Sequence, residues 1–195
     1  SLTGVTVSDT TLNGATLASA VDQANSATGD TSVVFTITAA DEIQGTEANF
    51  TALLADEGNS QISITDQNLN VNSGTVSVAN ANLLSGTTSG TVTASITTTE
   101  DVDTLKTLTE THAYTIVIAA GDATSSTAAE LTTINGATSL AVNASAITAL
   151  ASDNISNINT LLTAGNDTAQ FTSASFGSLT GVTVSDTTLN GATLA

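Results

Sequence analysis

SLTGVTVSDTTLNGATLA stands at residues 1–18, and the same eighteen residues return, letter for letter, at 178–195. The offset is 177 residues, with no substitution between the copies. A window cut from a tandem array would show this pattern: one full period, 1–177, then the start of the next, 178–195. The chain is therefore expected to belong to a longer one, in which Ala195 continues as Ala18 does, into SAVDQAN.

Fainter repetition lies inside the period. LSGTTSGTVTASI (84–96) and INGATSLAVNASAI (134–147) share Gly86/Gly136, Thr88/Thr138, Ser89/Ser139, Val92/Val142, Ala94/Ala144 and Ser95/Ser145 at an offset of 50. Each is followed by apolar residues at helical spacing: Val102, Leu105 and Leu108 in one case, Ile155, Ile158, Leu161 and Leu162 in the other. A third stripe, Ile43, Phe50, Leu53 and Leu54, lies in DEIQGTEANFTALL (41–54) after the strand-like VVFTI (33–37). TLNGATLA in the terminal copies echoes TINGATSLA (133–141). The period thus divides into three sub-repeats: 61–113, 114–168, and 169–177 joined across the seam to 1–60.

Each sub-repeat opens on a β-branched or aromatic strand, QISIT (61–65), YTIVI (114–118) or QFTSA (170–174). A polar loop, a second strand and a short helix come next. Capping-box spacing falls at Thr38/Asp41, Thr97/Glu100 and Thr127/Glu130. Asn13/Gly14 and Asn135/Gly136 read as turn pairs. Pieces this small cannot bury an apolar stripe alone, and stacking buries it against the next piece. The expected fold is mixed β with short helices: an elongated solenoid of short, largely parallel strands. The alternative is a string of β-sandwich domains.

Composition narrows the function. The chain has 40 Thr, one Lys, one His, no Arg and a formal charge of −17. Nucleic-acid phosphates need a basic footprint, so nucleic acid is not an expected partner. No apolar run reaches membrane-spanning length, so membrane insertion is not expected. Divalent cations, calcium first, are the natural counter-ions of such a surface. Without Cys there is neither a disulfide framework nor a thiolate metal site.

VSDTTLNGAT, TAAELTTINGAT, AVNASAIT and DNISNINTLL together resemble the Thr/Ala/Asp-rich tandem repeats of giant cyanobacterial cell-surface proteins, of the kind linked to swimming. The resemblance covers most of the chain in style. It implies an exported structural role, at the cell surface or outside a bacterial cell. Many such proteins carry glycine-rich calcium nonapeptides. This chain has no G-G-x-G-x-D-x-U-x motif, so that property does not carry over.

Chemistry-bearing residues are few. His112 could join a Ser–His–Asp triad, but no G-x-S-x-G elbow exists and the chain is not expected to be an enzyme. A helix C-terminus is the expected place for His112, and a solvated helix face for Lys106. Glu100, Asp101 and Asp103, with Asp41, Glu42 and Glu47, read first as first-turn acids that complement helix dipoles. Glu100, Asp101, Asp103, Asp41 and Glu42 are also the candidates for loose calcium binding; no other cofactor is expected. Asp9 and its copy Asp186 stand in a V-S-D-T-T turn. Sequons at Asn49, Asn143, Asn154 and Asn166 are frequent in any Ser/Thr-rich chain. Thr pairs are too irregular for an ice-binding face. The expected function is structural: a filament, fibre or surface layer whose partner is itself, in adjacent repeats or neighbouring chains. The alternative is the stalk or ligand-binding region of a giant adhesin.

Overall fold

A computed structural model of the chain describes residues 3–28, 33–38 and 41–188. Two compact units divide it, 1–95 and 96–195. The architecture is mixed α/β, with short strands and six α-helices among the described residues.

In the first unit, β1 (Gly4–Val7) and β2 (Thr11–Asn13) lead into α1 (Gly14–Thr28). Next come β3 (Val34–Ile37), β4 (Glu42–Thr46) and α2 (Glu47–Gly58). β5 (Asn68–Ser73), α3 (Val78–Thr87) and β6 (Val92–Ser95) complete it. β1 pairs with β3 in parallel, Thr6 opposite Thr36. β2, β4, β5 and β6 form parallel ladders in that order, with Leu12 opposite Ile43, Ile43 opposite Leu69 and Leu69 opposite Val92. Those four side chains are buried and form one row of core. Each strand thus joins its neighbour through a helical crossover, as parallel pairing requires. α1 packs on α2.

The second unit holds α4 (Val102–Leu105), β7 (Ala113–Thr115), a 3₁₀ turn at Ala120–Asp122, α5 (Ala128–Gly136), β8 (Ala149–Asp153), α6 (Ile155–Gly165) and β9 (Gly181–Val184). β8 and β9 pair in parallel, and single parallel bridges link His112 to Thr138, Val117 to Asn143 and Val142 to Phe171. Tyr114, Ile116 and Ile118 are buried at alternate positions, the period of a strand. α4 packs on α5 and α5 on α6. Parallel pairing at these ladders departs from the antiparallel sheets of a β-sandwich.

Some local expectations are corrected. The stripe at 41–54 is a strand followed by a helix: Glu42–Thr46 pairs on both edges, and only Glu47 onward is helical. Of the capping boxes, Thr127/Glu130 forms at α5. Thr38 instead donates to the Val7 carbonyl oxygen, and Thr97 faces Thr99 in a turn. The box at α2 is Thr46/Asn49, where Asn does the work expected of Glu or Gln. Asn13 is no turn residue; its side chain accepts from the Thr16 amide at the start of α1. Asn135 and Gly136 lie at the other end of a helix, the last residues of α5. The NGAT echo therefore marks two different places.

The echo at offset 50 marks equivalent places. Thr88 follows α3 and Thr138 follows α5. Each hydroxyl donates at 2.6 Å to a carbonyl oxygen of an earlier segment, Gln67 for one and Tyr114 for the other. Each also accepts from the amide two residues on, Gly90 at 2.9 Å and Leu140 at 3.0 Å. Chain passes so close at the first site that a Cβ on Gly90 would meet the Gln67 carbonyl oxygen at 2.4 Å.

The next residue shows why the chain is so rich in Ser and Thr. Ser89 sends both its amide and its hydroxyl to the Thr65 carbonyl oxygen, and Ser139 does the same to His112. Thr38 treats Val7 so, Thr148 treats Ala123 and Thr180 treats Thr148. Partners lie 24 to 32 residues apart, one strand–helix step. A carbonyl has two lone pairs, and a Ser or Thr at the crossing fills both.

Candidate functional site: the repeated strand and its two edges

Gly-Val-Thr-Val is a strand in both copies, β1 at Gly4–Val7 and β9 at Gly181–Val184. Alternating Val and Thr give it the β propensity to form in either place. What differs is the neighbour. β1 pairs with β3, which lies later in the chain, and β9 pairs with β8, which lies earlier.

One peptide group fixes the edges. In the first copy the Val7 carbonyl oxygen accepts from the Thr38 amide at 3.0 Å. In the second, the Ser185 amide donates to the Asp153 carbonyl oxygen at 2.8 Å. Val7–Ser8 and Val184–Ser185 are the same dipeptide 177 residues apart. The C=O and N–H of one trans peptide point in opposite directions. The same strand therefore turns one edge toward a later strand and the opposite edge toward an earlier one.

Asp186 adds a second contact. Its carboxylate accepts from the Ile155 amide at 2.7 Å, at the first residue of α6. This continues a series. Asp122 accepts from Val102 at the start of α4, at 3.3 Å, and Asp153 accepts from Ala129 in the first turn of α5, at 2.8 Å. Each acid lies 20 to 31 residues beyond its helix N-terminus, so each of these helices is capped from a later segment of the chain. Free amides and the helix dipole both favour a carboxylate there. Partial burial works against the charge of Asp153, but hydrogen bonds from Asn157, Ala129 and Asn154 outweigh it and lower its pKa. At Asp122 burial prevails, helped by Asp101, Asp103 and Glu130, and its pKa is raised.

Asp9, the identical residue of the first copy, is exposed and has no hydrogen-bond partner among the described residues. Beside it Val7, Leu12, Leu17 and Phe35 line a hollow of about 270 Å³. The sequence pattern places Asp9 and Asp186 in a turn and gives no local sign of the cap. A longer-range signal is present: an acid one strand–helix step beyond a helix start, three times over.

Asp101 is the N-cap of α4, its side chain accepting from the Thr104 amide at 2.8 Å, and its hydrogen bonds with Thr104 are the main cause of its lowered pKa. Asp103 lies in the same first turn and pairs with Lys106, and Glu100 immediately precedes the cap. Asp41 and Glu42 are not first-turn residues: Asp41 sits in the bend before β4, and Glu42 begins that strand and accepts from Gln44. Glu47 does open a helix, and it also accepts from Asn80 at 2.6 Å. Among the described residues no three His, Asp or Glu side chains are grouped so that they could hold a metal ion.

Lys106 is not simply solvated. It reaches Asp103 and, at 2.8 Å, Glu130 of α5, and these partners raise its pKa. His112 does not end a helix; it is 5% exposed, lies in the parallel bridge to Thr138 and meets the Tyr114 ring edge-on at 5.5 Å. Burial lowers its pKa against the opposing pull of Glu110. No helix among the described residues is long and apolar enough to cross a membrane.

Comparison with family models, with curated proteins and with solved structures gives no match.

Proposed function

We propose that the chain is a structural repeat protein, an elongated solenoid that builds a filament, fibre or surface layer outside a bacterial cell. The supporting observation is the two-edged strand. A sequence that pairs forward in one copy and backward in the other is suited to the interior of a continuing array. Such an array has no internal sheet edges left open to wrong partners. The Ser and Thr donors and the stepwise acid caps repeat the same fastening at each step, so length is added without a new folding problem. A strongly acidic surface keeps the fibres from indiscriminate clumping, with calcium as counter-ion and Glu100, Asp101, Asp103, Asp41 and Glu42 as the groups nearest to hand.

Electron microscopy of the native material tests this. Ordered fibres whose axial repeat matches one 177-residue period support it. Isolated flexible threads ending in a distinct head would favour the adhesin stalk instead.

A further inference from the structure

We infer that the repeated strand is exchangeable between chains: residues 180–188 of one copy take the place of residues 3–11 in a second copy and join the two head to tail. This deepens the array reading, on which it rests, by naming the strand through which neighbouring chains join.

Three observations carry it. The two segments are identical, so whatever β3 accepts from β1 it can accept from β9 of another chain. β9 lies in a two-stranded ladder with β8, and its other edge, where no strand pairs among the described residues, is the one that the Val7–Ser8 peptide uses toward β3. An incoming β9 can thus keep β8 on one side and gain β3 on the other, a central strand in place of two edges. Finally, a hollow adjoins the resident strand. Val7 of that strand lines it together with Leu12 and Leu17, and Asp9 has no helix to cap among the described residues. The incoming Asp186 keeps its own bond to Ile155. The contact is heterologous, so exchange gives open chains rather than closed dimers.

Cysteine pairing reads the register directly, because the chain has no cysteine of its own. Thr6 stands opposite Thr36, and Thr183 is the copy of Thr6. A chain carrying Thr36→Cys and Thr183→Cys is refolded from denaturant at high concentration and then oxidised. Refolding lets strands choose partners freely, so slow opening cannot hide the result. Mixed isotope-labelled and unlabelled chains should give a disulfide ladder extending beyond dimer, with position 36 of a labelled chain joined to position 183 of an unlabelled one. Excess peptide of residues 1–11 should shorten the ladder, and either single variant should stop at dimer. The untouched chain should sediment as concentration-dependent oligomers after the same refolding. Monomers with free or internally paired thiols, together with a monomeric untouched chain, would overturn exchange and leave the single-chain array standing.

Discussion

The Ile155 amide donates to Asp186 at 2.7 Å, binding the start of α6 to a residue of the second copy. Asp9 is the same residue in the same sequence context, with no helix to cap among the described residues. The pair is an internal control. Asp186→Ala should cost about 1 kcal/mol, the ordinary worth of a helix N-terminal cap. Asp9→Ala should change stability by no more than about 0.5 kcal/mol. Urea unfolding of the two variants checks this, and equal effects would remove the cap.

Buried hydroxyls should matter more than exposed ones. Thr138→Val leaves the Tyr114 carbonyl oxygen and the Leu140 amide each without this partner, and should cost about 1–3 kcal/mol. Thr88→Val should do the same through Gln67 and Gly90. Thr133→Val, whose exposed hydroxyl bonds back to Ala129 in its own helix, should lie within about 0.5 kcal/mol of the parent. Thermal melts of the three variants give the comparison.

Much of this was legible in the sequence. Two β-branched runs, QISIT and YTIVI, supply buried alternating side chains, and the stripe at 153–162 is helix α6. The offset-50 echo found two sites with the same hydrogen-bond set because Thr at that point has to satisfy a buried carbonyl. The NGAT echo misled because Asn-Gly is favourable at both ends of a helix, for different reasons: Asn caps the start, and Gly relaxes the end. DEIQGTEANF read as helix because Ile43 and Phe50 lie two turns apart, while pairing with β2 and β5 decides the strand. Acid caps that reach a helix from a later segment of the chain were invisible to local pattern. They depend on a contact 20 to 31 residues away.

Asp56 is buried near the end of α2, and its Oδ2 has no hydrogen-bond partner among the described residues. Burial, then Asp22, raises its pKa. A carboxyl with a raised folded-state pKa contributes stability below its unfolded value, and that contribution is lost as pH rises through the folded value. Asp56→Asn mimics the protonated form and should add about 1 kcal/mol at neutral pH. The gain should shrink on acidification, as followed by urea titration at several pH values. A destabilised Asn variant would contradict this.

His112 works in the opposite direction. Its folded pKa lies below the ordinary value, because burial disfavours the imidazolium. Its contribution is present above the unfolded pKa of about 6.5 and is lost as pH falls from there toward the folded value. As the chain has one His, its single imidazole NMR titration reads the shift cleanly. The midpoint should fall below about 6.5; a midpoint above it would show that Glu110 prevails over burial.

The central claim is that one strand serves both neighbours where two periods meet. Amide hydrogen exchange in a chain of two full periods tests it at the junction. The Ser185 amide, bonded backward to Asp153, and the second-period counterpart of the Thr38 amide, bonded forward to the Val184 carbonyl, should both exchange slowly and with similar protection. If either amide exchanges as fast as an open edge while the other stays protected, the strand pairs on one side only and the continuous array is wrong.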